Sequence, residues 1–205
     1  SPPTEGYLIP MRAETLSERR TARKESMDRR VAETKQLVES DNDQWLVWCD
    51  YNAESSALSN AIWDSTEVVG SDKPEYKAES ALAFADGDIR TIISKPSIYG
   101  FGMNFQNCHK MVFCGISDSY EQFYQAVRRC WRYGQKSPVD VHIIISEAEL
   151  NVLDNIKRKQ ADMDLMQNKM VALMRDVTMS EIKHTTRITT DYIPQKTMEV
   201  PEWIA

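Results

Sequence analysis

The chain has 205 residues, 41% of them hydrophobic, enough to bury one sizeable core and suited to one globular domain with appended segments. A net charge of −6, from 31 acidic against 25 basic side chains, argues against a protein that coats nucleic acid non-specifically, since such proteins carry a large basic excess. Nucleic-acid contact must then be local, and no apolar run approaches the roughly 18 residues of a membrane span.

Cys49, Cys108, Cys114 and Cys130 form no C-x-x-C pair and have no histidine at a zinc-like spacing, so reduced structural thiols and no metal site are expected. The start, Ser1-Pro2-Pro3, does not read as a signal peptide. A soluble cytoplasmic protein is expected, and the missing initiator Met suggests a piece of a longer chain.

Residues 1–13 are Pro-rich and irregular, and Thr15-Leu16-Ser17-Glu18 carries the hydroxyl-then-acid pattern of a helix start. The helix should run to about Val38; its sparse apolar positions Leu16, Met27, Val31 and Leu37 suggest a solvated helix on one edge of the core. From Trp45 short apolar runs alternate with helical stretches, the pattern of a parallel sheet covered on both faces. Strands are expected near Trp45–Cys49, Glu67–Val69, Arg90–Ser94, Lys110–Cys114 and Val139–Ile145. Helices are expected near Glu54–Trp63, Pro74–Ala85 and Ser119–Trp131, with Trp45, Trp48 and Trp63 in the core and Glu121, Glu147 and Glu149 on a solvated face. After Ser146 a helix should reach about Asp176, with Leu153, Ile156, Met163, Met170, Met174 and Val177 on a heptad seam broken by Gln160 and Gln167. It either packs back on the domain or serves a protein partner through its Met-rich face. The organisation is thus 1–43, an irregular segment and helix; 44–146, an α/β domain; and 147–205, a helix and tail.

Two stretches carry chemistry. Gln125-Ala-Val-Arg128-Arg129-Cys-Trp-Arg132-Tyr-Gly134-Gln135 puts Gln125, Arg129 and Arg132 at i, i+4 and i+7, one face of the expected helix. Two guanidiniums and an amide on one face suit a phosphate chain, because each planar fork donates to two oxygens and keeps its charge. Upstream, Ser94-Lys95-Pro96-Ser97-Ile98-Tyr99-Gly100-Phe101-Gly102-Met103-Asn104-Phe105 follows a strand, and its glycines let the backbone approach phosphate or ribose closely. Phe105 stands where a dinucleotide fingerprint needs its third glycine, so that fingerprint is absent.

In this order the two stretches resemble the C-terminal, RecA-like domain of superfamily 2 helicases, over about Trp45 to Ile145. Trp45 to Asp50 looks like motif IV, Ser94 to Phe105 like motif V, and 125–135 like motif VI with the Arg-x-x-Arg-x-Gly-Gln ending of the Swi/Snf-type branch. Phe84-Ala85-Asp86-Gly87 resembles the Phe-x-x-Gly segment of such domains, and the run from Asp118 to Gln125 resembles phage and prophage DNA helicases. The resemblance implies a three-layer RecA-like fold and ATP with Mg2+ held mainly by an N-terminal RecA-like domain of the same parent. It implies that Arg132, the arginine finger, and Arg129 reach the γ-phosphate, that Gln125 aligns the cleft, and that Gly100, Gly102 and Asn104 lie by the nucleotide. Ser94, Lys95, Asp50 and Tyr51 would border DNA. Two positions depart from many relatives: Tyr99 replaces a glycine, where its ring would bend the backbone path or stack on a base, and Trp131 replaces a histidine. No G-x-x-x-x-G-K-[S/T] and no strand-borne Asp-Glu pair occurs, so the isolated chain should not hydrolyse ATP. The alternatives are a non-catalytic nucleic-acid or protein binding module with a motor-like fold, and an RNA-directed motor.

Overall fold

The structure, a computed structural model, describes residues 16–100 and 102–184; the expected irregular start and the tail beyond 184 lie outside them. The chain divides into two units, residues 1–161 and 162–205.

In the first unit five strands form an all-parallel sheet: β1 (Trp45–Trp48), β2 (Ser65–Glu67), β3 (Thr91–Ser94), β4 (Lys110–Cys114) and β5 (Asp140–Ile144), ordered β2-β3-β1-β4-β5. β1 is central, with Leu46 level with Ile92 on one side and Met111 on the other. Its four residues are all buried, because helices cover both faces and the period-two alternation has no solvent side to use. Leu46, Trp48, Ile92, Met111 and Phe113 face one core; Trp45, Val47, Ile93 and Val112 face the other.

The first core is closed by α4 (Pro74–Asp86), by α6 (Tyr120–Val127) through Phe123 and Ala126, and by Val152 and Ile156 at the start of α7 (Leu150–His184). The second is closed by α2 (Met27–Val38) and α3 (Asn52–Ala61) through Val31, Val38, Leu58 and Ile62. This is the three-layer α/β architecture expected. A short α5 (Pro96–Tyr99), with Pro at its first position, was not foreseen in the Gly-rich loop.

Several local expectations are corrected. The N-terminal helix is two, α1 (Leu16–Glu25) and α2, parted at Ser26, and α2 lies on the sheet rather than in solvent, with Arg30 and Thr34 buried. Trp63 is 85% exposed, because α3 stops at Ala61 and the chain turns through Asp64 at φ 58 before it can carry the ring inward. Glu149 is buried, not solvated. In α7 Val152, Leu153 and Ile156 pack within the first unit; Met163, Met166, Met170 and Met174, described within the second unit, are exposed.

Because α3 leaves β1 over one face and α6 leaves β4 over the other, their connections part at the carboxyl ends of these neighbours, where open parallel sheets form a crevice. Here the crevice is filled by the protein itself. Glu54 of α3, 1% exposed, accepts from Arg23 Nε at 2.9 Å and Nη2 at 3.3 Å, from Arg30 Nη2 at 2.9 Å, and from the backbone N–H groups of Asp50 and Tyr51 at 3.1 Å each. Arg23 also donates to Asp50 and to the Ile116 carbonyl, both at 3.1 Å, and Arg30 donates to the Cys114 carbonyl at 2.9 Å. Glu149, in the 3₁₀ turn Glu147–Glu149, closes the cluster 3.8 Å from Arg23 and 3.9 Å from Arg30. Gly115, at φ 84, is required beneath them: a Cβ there would lie 2.5 Å from Arg23 Nη2 and 2.7 Å from Arg30 Nη1. A residual cavity of about 10 Å³, lined by Trp48, Asp50, Pro96, Gly115, Ser117 and Gln122 among others, is the space of a single water.

Burial alone would raise the Glu54 carboxyl, but the charges and hydrogen bonds of Arg23 and Arg30 outweigh it, and its pKa falls below the ordinary 4.5. A carboxyl depressed in the folded state adds stability above its unfolded pKa and loses it as pH falls through the folded value. Glu54→Gln should therefore cost about 3 kcal/mol at pH 7, the lower end for breaking a buried ion cluster, since Asp50 and Glu149 still face the arginines. Urea unfolding followed by tryptophan fluorescence should show that gap closing as pH falls below about 4; a gap constant from pH 7 to 3 would show that Glu54 is not charged in the fold.

Candidate functional site

The loop from β3 to β4 and the segment after α6 are sewn together. Helix α6 ends at Val127, so Arg129 lies in the turn beyond it and Arg132 further along, and the expected single helix face for Gln125, Arg129 and Arg132 does not exist. The three still converge, through the turn. Arg129 Nε donates to the Gln125 carbonyl at 2.9 Å and Nη2 to Gln125 Oε1 at 3.2 Å, while Nη1 donates to the Met103 carbonyl at 2.9 Å. Arg132 Nη1 reaches the same Met103 oxygen at a marginal 3.5 Å.

The two guanidiniums are not equivalent. Arg129 is 8% exposed and its hydrogen bonds go to neutral oxygens. Burial, then the neighbouring charges of Arg132 and Arg128, push its pKa below the ordinary arginine value, though an arginine stays charged. It is a strut, not the outward-pointing group the spacing suggested. Arg132 is exposed, and its single long bond leaves most of its donors free for a ligand.

Backbone pairing continues the seam: Phe105 N–H donates to the Arg129 carbonyl at 2.9 Å. Gln135 Nε2 donates to the carbonyls of Gln106, Cys108 and Cys130 at 3.0, 3.0 and 3.3 Å. Gln135 therefore closes the segment by stapling it to the preceding loop, a role that a side chain's place in a motif does not reveal. Gly102 lies on that loop at φ 81, a conformation that any side chain would strain, and is exposed. Gly100 is buried and caps α5, its N–H on the Pro96 carbonyl at 2.8 Å. Asn104 lines an open hollow of about 440 Å³ with Gln106, His109, Gly134 and Gln135, which neither arginine lines. Tyr99 does not face a base: it is 1% exposed, its ring edge-on to Phe105 at 5.9 Å and its hydroxyl on the Lys77 carbonyl. Filling the core is the ring's role.

The four residues expected along a nucleic-acid strand meet at the carboxyl ends of β1 and β3, but not all face out. Ser94 is fully buried and donates to the Val68 carbonyl at 3.0 Å, which corrects its expected outward role. Lys95 is half-buried with Nζ 2.6 Å from Asn52 Oδ1, and Asp50 is half-buried on Arg23. Tyr51 is 43% exposed. Arg23 and Asn52, both in contact with this group, went unnoticed: an arginine in a helix read as solvated carries no signal of a contact 28 residues away in sequence.

All four cysteines are free and buried. Burial pushes the Cys49 thiol up to about 12 and raises Cys114 as well, so both stay protonated. Among the described residues no cluster of three or more His, Cys, Asp or Glu side chains could hold a metal ion, and no helix is long and apolar enough to cross a membrane.

Comparison with known proteins agrees with this architecture. The helicase conserved C-terminal domain family matches residues 29–134. Among solved structures, the C-terminal part of the Fun30 ATPase domain superposes with a TM-score of 0.55 at 19% identity, over 62% of this chain and 45% of that one. The C-terminal domain of the DEAD-box protein Dbp5 superposes with a TM-score of 0.54 at 11% identity, over 66% of this chain and 80% of that one. The chain thus spans less than half the length of the Fun30 chain. A comparison with curated proteins finds no match. Since the family match covers 106 of the 205 residues, including the Gly-rich loop, Arg129 and Arg132, the chain belongs to the helicase conserved C-terminal domain family.

Proposed function

We propose that this chain is the second motor domain of an ATP-dependent DNA helicase or translocase of superfamily 2, of the Swi/Snf-type branch and phage or prophage kind. In this reading ATP and Mg2+ are held mainly by an N-terminal RecA-like domain of the same parent, and this chain closes the site from the other side. The observation that carries it is the shared Met103 carbonyl, which receives one buried and one exposed arginine. Arg132 is then the finger that offsets charge building on the transferring γ-phosphoryl group. Arg129, gripped by Gln125, fixes the motif V backbone against it. Gly102, open and left-handed, gives backbone access beside the nucleotide, with Gly100 and Asn104 setting the loop's two ends. The donor set suits phosphate: guanidiniums without a free acid cluster attract anions and leave the magnesium to the partner domain.

The nucleic-acid path runs over the carboxyl ends of β1 and β3, where Lys95, Asp50 and Tyr51 lie, while the buried Ser94 holds that edge from within. DNA is the expected track, with RNA the alternative, because phosphate contacts carry no sequence information. The exposed methionines of the later α7 fit the further reading of a protein partner there.

Two substitutions in the parent protein separate the arginine roles. Arg132→Ala should lower the nucleic-acid-stimulated ATPase kcat by about 10³-fold or more with folding stability unchanged. Turnover near wild type at saturating DNA removes the finger assignment. Arg129→Ala should lower kcat and also cost about 1–3 kcal/mol of stability, because the Met103 carbonyl and the Gln125 amide lose a buried donor. Thermal denaturation of the isolated chain reads the second effect, and an unchanged Tm would show that Arg129 is no strut. Comparing DNA with RNA as activators of the parent ATPase decides the track.

A further inference from the structure

The ring of Tyr51 is held in a way that an ordinary surface tyrosine is not. The Arg23 guanidinium stands over it, 4.8 Å from the ring centroid. That guanidinium is itself immobile: Arg23 is 6% exposed and bonded to Glu54, Asp50 and the Ile116 carbonyl. Beneath the ring the backbone is pinned as well, since Glu54 Oε2 accepts the N–H groups of both Asp50 and Tyr51. The same carboxylate thus fixes the plate behind the ring and the chain that bears it. Arg23 lies outside the stretch that matches the family, which begins at residue 29.

We infer that Tyr51 is a stacking platform for an unpaired nucleobase, with Arg23 as its positioning residue. The inference rests on the function proposed above and names the form of nucleic acid that this edge takes, a single strand with exposed bases. One observation points to a base, and two show that the strand carrying it is accommodated. Although 43% of Tyr51 is exposed, the ring is oriented before any ligand arrives, so stacking on it costs little conformational entropy. The Asp50 carboxylate beside it is spent on Arg23 at 3.1 Å, which reduces its repulsion of a strand. One residue further, Lys95 Nζ is held by Asn52 Oδ1 at 2.6 Å, a cation placed for the phosphate that accompanies a base. Packing alone does not explain the pinning, because the cluster is complete without the ring: Glu54, Asp50 and Glu149 already satisfy the charges of Arg23 and Arg30.

The test measures the concentration of oligonucleotide that half-activates the parent ATPase, for a single strand and for an abasic strand of the same length and phosphate number. Wild type should favour the strand with bases by about 5- to 150-fold, the span that one stacked base supplies. Tyr51→Ala should bring that ratio close to one, Tyr51→Phe should keep it, and Arg23→Gln should reduce it. The inference is overturned if Tyr51→Ala weakens both strands equally, or if its ratio stays at the wild-type value. Should the alanine variant not fold, the Tyr51→Phe and Arg23→Gln pair decides: equal ratios in the two exclude the platform. A wild-type parent that no nucleic acid, duplex or single-stranded, stimulates sinks the proposed function itself, whereas a parent stimulated by duplex alone, or by both strands with no base dependence, sinks only the platform.

Discussion

One buried carboxylate holds the carboxyl edge of the sheet in shape. Glu54 takes five donors, and three of the elements it ties, α1, α2 and the end of β1, reach it from different parts of the chain. Without it two guanidiniums would be buried beside Gly115 with only partial compensation, at a cost that is a large share of a domain's net stability. The consequence reaches past stability. The crevice that open parallel sheets leave where their connections diverge is closed here by Arg23 and Arg30, so no small ligand can use it. Ligand chemistry is displaced to two rims: the exit of β1, and the seam between the β3–β4 loop and the turn after α6.

That second rim explains why two arginines stand three residues apart. In the reading proposed above, a single arginine could not both fix the loop and reach across a cleft, because a guanidinium buried to hold a carbonyl has no freedom to meet a phosphate. Arg129 takes the fixed task, and Arg132, exposed and with a single long bond to the same Met103 oxygen, keeps most of its donors free. The early end of α6 makes this possible. A continuous helix through Trp131 would carry the two arginines on a regular face and leave neither able to enter the loop; the turn from Arg128 to Cys130 lets Arg129 fold back onto Gln125.

The sheet was legible because period and composition agree there. Trp45–Trp48, Thr91–Ser94 and Lys110–Cys114 are apolar, β-branched or aromatic runs bounded by breakers, and such runs have few other uses. The arginine segment was legible by its spacing, and its place beside the Gly loop by the order of elements. What the sequence hid were long-range choices by polar side chains. Glu149 and Arg30 read as solvent residues because charge normally implies exposure; each is buried only because the other, and Glu54 from a third element, is present. Ser94 read as an outward hydroxyl, but its strand is covered on both faces, so the hydroxyl turned to the Val68 carbonyl. Tyr99 read as a ring in place of a glycine near a ligand, while its neighbours Phe84 and Phe105 made a core site for it. None of these is a local property.

The same reasoning shows why residues outside the family match belong to the working edge. Arg23 precedes the matched stretch and Glu149 follows it, yet both meet Glu54 and Arg30 within it. A domain cut at the family boundaries, 29–134, would keep four of the five strands and both seam arginines but lose β5, Gln135, and one guanidinium and one carboxylate from a buried cluster. The net charge within the cluster would be unchanged, since one of each sign is lost. The geometry would not, because Arg23 joins the Asp50 and Glu54 carboxylates and stands behind Tyr51. The end of α1 and the 3₁₀ turn Glu147–Glu149 are therefore parts of the carboxyl-edge surface, tied to it through Glu54 and Arg30.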